Sequence, residues 1–243
     1  MARDRLSLLQ LVPNLVTILG MCAGLSAIRF TFDERYELAA ALIIFAAVMD
    51  GFDGMLARTL NATSSFGAEL DSFADFVSFG VAPGILVFGY ALSGPMAGLG
   101  WVFVLVFAVC GCLRLARFNI SRGAPDGAAT RHFVGVPAPA GAMLGLLPVY
   151  LGLSELVDVT RAPLLVALYL AGVGLLMISR LPTPSLKAVR IARDNAIWVM
   201  VAMSAFVGLL FLRTWATLVV ADLVYLAVLG WLAFRRRRRG LGA

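Results

Sequence analysis

Charge is scarce in this chain of 243 residues: 14% of the side chains are charged, against 61% hydrophobic. A soluble domain carries about a quarter charged residues, so that class is excluded. Cysteine is rare. Cys22, Cys110 and Cys112 fall inside apolar stretches, which argues against a disulfide framework or a cysteine zinc site and leaves them as small packing residues. Histidine is rarer still, with His132 beside Arg131 standing alone in a polar loop, where it reads as a surface residue. There is no internal repeat, and the only low-complexity run is the terminal arginines. No small-residue cleavage site follows the apolar run after Arg3 and Arg5, so no cleavable signal peptide is expected.

What is present is apolar sequence along the whole length, read as one membrane domain, 1–243, with a basic tail at 235–243. The expected fold is all-α, a polytopic bundle of about eight transmembrane helices. The spans are 12–31, 37–58, 66–91, 97–117, 138–154, 163–180, 195–212 and 215–234; a re-entrant 138–154 lowers the count to six or seven. With the N-terminus inside and eight spans, sixteen of the twenty Lys and Arg residues lie on the cytoplasmic side. Arg29, Arg35, Arg161 and Arg213 lie on the far side, a split that the positive-inside rule asks for. The net charge of +6 is therefore an orientation and membrane-surface signal, strongest at Arg235–Arg239, and no nucleic-acid partner is expected. Gly20-x-x-x-Gly24 and Gly141-x-x-x-Gly145 allow close helix approach, within the chain or at a dimer face.

Against this apolar background, four aspartates, a glutamate and an arginine crowd into residues 50–75. Ionisable groups at membrane depth are costly and mark functional sites by default. At about 100° per residue, Asp50, Asp53, Gly54 and Ala57 fall within roughly 100° of one another. Gly67, Asp71 and Asp75, spaced i, i+4, i+8, form a second face. Two helices thus each offer a pair of carboxylates beside small residues. Glu69 lies roughly 200° from Asp71 on the wheel and points away from that face. Clustered aspartates suit hard oxygen-ligated cations, Mg²⁺ or Mn²⁺, and two such ions roughly 4 Å apart can serve the nucleophile and leaving group of a phosphoryl transfer. An ion-coupled transporter explains the acids but not the paired glycines, the alanine or the fixed gap.

The pattern D-x-x-D-G-x-x-A-R-x8-G-x-x-x-D-x-x-x-D resembles, at every fixed position, the signature of the CDP-alcohol phosphotransferase family. The resemblance implies an integral membrane enzyme that displaces CMP from a CDP-linked lipid or alcohol with the hydroxyl of a second substrate. It implies metal ligation by Asp50, Asp53 and Asp71. Asp75 then touches the second metal and accepts the proton of the attacking hydroxyl. Gly54, Ala57 and Gly67 are matched to the nucleotide side, with Arg58 at the cytoplasmic end pairing with phosphate. The segment Pro13-Asn14-Leu-Val-Thr17 resembles the family's N-terminal nucleotide-side segment, through Asn14 and Thr17; Pro13 alone is equally a helix-start proline.

Together with that segment, three others are similar to the bacterial membrane-bound phosphatidylserine synthase branch of that family. They are Cys112-Leu-Arg114-Leu-Ala-Arg117-Phe-Asn119, Phe133-Val-Gly135-Val-Pro137-Ala-Pro139-Ala and Ser179-Arg180-Leu-Pro182-Thr-Pro184-Ser185-Leu-Lys187. The branch implies CDP-diacylglycerol and L-serine as substrates. Arg114, Arg117, Arg180 and Lys187 are candidates for the serine carboxylate or the lipid phosphate, and equally anchors of helix ends; Asn119 orients substrate or caps a helix. The Gly- and Ala-rich loop from Ser121 to Arg131 is expected to gate serine entry. Sister enzymes use glycerol 3-phosphate, inositol phosphate or choline as acceptor. The family also implies a homodimer. The expected location is the inner cell membrane, with both termini and the site on the cytoplasmic side.

Overall fold

The computed structural model describes residues 8–60, 62, 64–122, 135–179 and 196–240. All regular elements among them are helical: α1 (Leu8–Phe32), α2 (Tyr36–Thr59), α3 (Ser65–Leu92), α4 (Ala97–Arg122), α5 (Ala138–Gly145), α6 (Leu147–Leu153), α7 (Pro163–Ile178), α8 (Ala196–Leu212) and α9 (Thr214–Gly240). Helices α1 to α4 and α9 are long and apolar enough to cross a membrane, and α7 and α8 are shorter apolar helices. The chain is a polytopic α-helical membrane bundle. The expected span at 138–154 is two short helices that meet at Leu146, with Pro148 in the first turn of α6.

Lipid tails are as apolar as leucine, so helices associate in a bilayer through close packing of small residues rather than through a hydrophobic drive. The α1–α2 hairpin follows that rule. Ala23 and Ala27 of α1 and Ala39, Ala40, Ile43 and Ala46 of α2 are all buried. Both glycine pairs serve packing within the chain: Gly20 lies beside Met49, Gly24 beside Ser78, Gly141 beside Met177 and Gly145 beside Phe107. A larger core, with Phe107, Leu144, Tyr150, Leu170 and Met177 fully buried, joins α4 to α5, α6 and α7.

Helix α3 is not uniform. It winds as a π-helix over Phe76–Val81 and again over Phe88–Leu92. Pro83, just beyond the first wide turn, has no N–H to donate to the preceding turn and its ring crowds the carbonyl there; a π-turn is one way a helix absorbs that interruption. Asp75 is the last α-helical residue before the widening, so the i, i+4 register of Gly67, Asp71 and Asp75 is intact.

The two ends of the bundle differ. At one, Tyr36 donates to the Gly89 carbonyl at 3.1 Å and meets Tyr90 edge-on at 5.1 Å. Tyr90 closes against Gly152, and the Arg29–Asp33 and Arg161–Asp158 ion pairs lie exposed. At the other, the Arg117 guanidinium donates to the Ile178 carbonyl at 3.0 Å and the Val136 N–H to the Leu176 carbonyl at 3.4 Å. The first contact ties the end of α7 to α4, and the second ties it to the approach to α5. Apart from Leu210, every residue from Ile197 to Leu212 in α8 is exposed.

Candidate active site

The second end holds a cavity of about 610 Å³, within the size range of small-molecule sites. Its wall is built from five helices and the turn before α3. From α2 come Asp50, Asp53, Gly54, Ala57 and Arg58, the face the helical wheel requires, together with Gly51. From α3 come Gly67, Asp71 and Asp75, with Ala68 between them. Pro13, Asn14 and Thr17 of α1 close one side, and Arg114 and Phe118 of α4 with Pro137 and Pro139 close the other.

Oxygens of Asp50, Asp53 and Asp71 lie within 4.8 Å of one another. Asp75, one turn beyond Asp71, stands close enough to Asp50 for the two acids to act on one another. Four carboxylates this close repel unless a cation lies among them. Arg114 stands near enough to Asp50 and Asp75 for the charges to act on one another, but one guanidinium offsets one charge of four. An all-oxygen donor set of acids, half-buried and convergent, fits a hard divalent cation. The residues present therefore fit the metal group that the sequence implies.

The α1 side is polar in two places. Thr17, 7% exposed, donates its hydroxyl to Asp53 Oδ2 at 2.6 Å, and Asp53 itself is 6% exposed. Asn14 lies against Gly67, where an added Cβ would meet Asn14 Oδ1 at 2.8 Å and Ser64 Oγ at 3.1 Å. Ser64 caps α3, accepting the Gly67 N–H at 3.0 Å. Gly54 is different: the nearest atom to its added Cβ is Arg58 Nη1, at 3.8 Å. Its small size leaves room in the cavity itself. Pro13 sits inside α1, not at its first turn, so the helix-start reading of that proline does not describe it.

Among the basic candidates, Arg58 and Arg114 line the cavity, and the Arg114 guanidinium lies 5.9 Å from the centre of the Phe118 ring. Arg117 and Asn119 do not line it. Arg117 is spent on the Ile178 carbonyl. Asn119 exchanges hydrogen bonds with Ser72 of α3, donating to Ser72 Oγ at 2.9 Å and lying 3.1 Å from it through Oδ1. Glu69 is exposed and outside the lining. Arg180, Lys187, His132 and nearly all of the loop Ser121 to Arg131 lie outside the described residues.

Sequence reasoning passed over Asp222. This acid of α9 is 7% exposed, and its Oδ2 is buried without a hydrogen-bond partner among the described residues. The signal was there to read, an aspartate in the middle of the apolar stretch 215–234. It also passed over Phe118 and the cavity-facing role of Pro137 and Pro139, which as apolar residues in loops or helix ends carry no pattern.

A profile of CDP-alcohol phosphatidyltransferases matches residues 10–175. The chain is 37% identical over 222 residues to a protein of Mycobacterium leprae, covering 90% of this chain and 73% of that one. It is 41% identical over 192 residues to one of Mycobacterium bovis, covering 77% of this chain and 66%, just under two thirds, of that one. To one of Helicobacter pylori it is 33% identical over 226 residues, covering 92% of each. All three relatives are named CDP-diacylglycerol–serine O-phosphatidyltransferase.

Proposed function

The chain belongs to the CDP-alcohol phosphatidyltransferase family, and from that membership we propose that it transfers the phosphatidyl group of CDP-diacylglycerol to L-serine, giving phosphatidylserine and CMP. The observation that carries the reading is the convergence of Asp50, Asp53, Asp71 and Asp75 on one cavity at the end of a membrane bundle. The names of the relatives favour serine as acceptor.

In this reading the serine hydroxyl oxygen attacks the phosphorus that bears the diacylglycerol. A new P–O bond forms to serine, the P–O bond to CMP breaks, and CMP leaves with that electron pair. Asp75 accepts the hydroxyl proton as the bond forms; it is the acid farthest along α3 and lies beside Asp50 in the cavity wall. Asp50, Asp53 and Asp71 hold the metal site. Mg²⁺ or Mn²⁺ held there as a pair would supply neutralisation of charge on the diphosphate. Gly54 and Ala57 leave the space over which the nucleotide lies, and Asn14 and Gly67 line the same cavity. Arg58 meets phosphate, and Arg114, over the acids and against Phe118, meets the serine carboxylate or the lipid phosphate. Arg180 and Lys187 belong to the same basic group by sequence alone.

The whole chain acts as one membrane domain. Eight crossings, counting α5 and α6 as one broken span, place both termini, the site and the tail 235–243 at the cytoplasmic face of the inner cell membrane. A homodimer completes the reading, by family likeness.

The test is CMP release from CDP-diacylglycerol by purified protein with Mg²⁺ or Mn²⁺, offering serine, glycerol 3-phosphate, inositol 1-phosphate and choline separately. Release with serine alone, lost on chelation and restored by metal, is the expected result. Release with a different acceptor overturns the choice of serine and keeps the site; ion flux without CMP release from any acceptor overturns the transferase reading. Asp75→Asn is expected to lose nearly all turnover while still binding Mn²⁺, and near-normal turnover would remove Asp75 from the role of base.

A further inference from the structure

We propose that Thr17 acts through Asp53 as a positioning residue of the metal site, not as a contact to the nucleotide. The inference rests on the metal site described above and assigns to α1 a part in building it.

Thr17 and Asp53 are 36 residues apart in sequence, on different helices, and both are buried. A threonine hydroxyl has one hydrogen to give, and two acceptors lie within reach: Asp53 Oδ2 at 2.6 Å and the Pro13 carbonyl, one turn back on α1, at 3.1 Å. The shorter distance is that of a charge-assisted bond from hydroxyl to carboxylate. The hydrogen is therefore on the Asp53 side. The hydroxyl holds one carboxylate oxygen and limits rotation of the Asp53 side chain, which sits in a tight cluster of like charges.

The place of Thr17 at the bottom of the site supports the same role. It borders both the main cavity and the narrow cleft beneath the acids, where Gly20, Ala46, Ala74 and Phe79 close the floor. A hydroxyl at that depth is well placed to hold a ligating carboxylate and poorly placed to meet a nucleotide entering from the open end. Groups that orient metal-ligating carboxylates typically change metal affinity by 10- to 100-fold when removed.

The experiment compares wild type, Thr17→Val and Thr17→Ser in detergent, by Mn²⁺ binding followed by electron paramagnetic resonance without substrates, and by turnover against Mn²⁺ and against CDP-diacylglycerol. Valine keeps the shape and removes the donor; serine restores the donor. The expected result is a loss of Mn²⁺ affinity of roughly 10- to 100-fold in Thr17→Val. Affinity returns in Thr17→Ser, and the KM for CDP-diacylglycerol at saturating Mn²⁺ stays near that of wild type. Unchanged Mn²⁺ affinity with a raised KM for CDP-diacylglycerol overturns the proposal and returns Thr17 to the nucleotide. Should Thr17→Val fail to fold, Thr17→Ala carries the same comparison with a smaller side chain. If wild type binds no Mn²⁺, the metal-site reading falls and takes this inference with it; if wild type binds and Thr17→Val binds equally, only the Thr17 assignment is lost.

Discussion

Gly54 and Gly67 both flank the acids, yet their missing side chains serve different ends. Around Gly54 no other side chain among the described residues comes closer than the Arg58 guanidinium, so a methyl group there fits the fold and intrudes on the cavity. Gly54→Ala is expected to leave the melting temperature in detergent unchanged. An intruding methyl costs about 1–3 kcal/mol, which raises the KM for CDP-diacylglycerol by roughly 5- to 150-fold. Around Gly67 a methyl group meets Asn14 and Ser64, so Gly67→Ala acts on the protein first. It should lower the melting temperature, and the loss should be partly relieved in Gly67→Ala/Asn14→Ala, since residues in contact do not add independently. Additive losses in that double variant would show that the two positions are not in contact. At this scale the sequence was most legible for the aspartates, because helical spacing places i, i+3 and i+4 residues on one face whatever surrounds them. The partner of Thr17 was not legible. Its hydroxyl reaches a carboxylate on another helix, and no local spacing encodes a contact across 36 residues.

At the scale of helices, α4 ends in two cross-links rather than in a row of substrate ligands. Arg117 holds the end of α7 through the Ile178 carbonyl, and Asn119 holds α3 through Ser72, one residue past Asp71. Arg114, one turn earlier, faces the cavity. Arg117→Ala should therefore lower stability by about 1 kcal/mol, less than the roughly 1.5–3 kcal/mol of a hydrogen bond from a charged donor because Arg117 is exposed. It should leave the KM for serine close to wild type. Arg114→Ala should raise that KM, or that for CDP-diacylglycerol, by tenfold or more, consistent with loss of a direct ionic contact. A melting curve and substrate titrations on the two variants decide between these roles. The sequence placed both arginines at a helix end, where i, i+3 spacing puts them side by side; which one turns inward depends on how α4 is rotated against α3 and α7. The same limit hid the wide turns of α3. Pro83 was visible, but a proline inside a helix can be absorbed as a kink, a break or a π-turn, and the neighbouring helices choose among them.

For the molecule as a whole, Ser65 and Leu156 mark opposite ends of the bundle. Helix α3 runs from Ser65 to Leu92 and Tyr90, near its far end, closes against Gly152. In a cysteine-free background, an impermeant maleimide on intact cells should label Leu156→Cys and spare Ser65→Cys until the membrane is opened. The reverse pattern would invert the orientation drawn from the arginines. The span pattern was legible because apolar length is a property of the whole stretch; the break at Leu146 was not, since Gly145 and Pro148 also occur in unbroken membrane helices.

The cavity is lined from Pro13 to Pro139 and by no described residue after that. Synthesis runs in the same direction, so the site is assembled in time as well as in space. Helices α1 to α3 deliver four carboxylates before α4 delivers Arg114. An aspartate costs at most about 2.5–3.5 kcal/mol on insertion scales, the figure for the centre of a membrane helix, and leucine, isoleucine, phenylalanine and valine return about 0.3–0.6 kcal/mol apiece. The apolar residues around Asp50 and Asp53 in α2 thus have a role at birth as well as in the finished bundle: with Arg58 alone beside them, they carry the acids into the bilayer before Arg114 arrives.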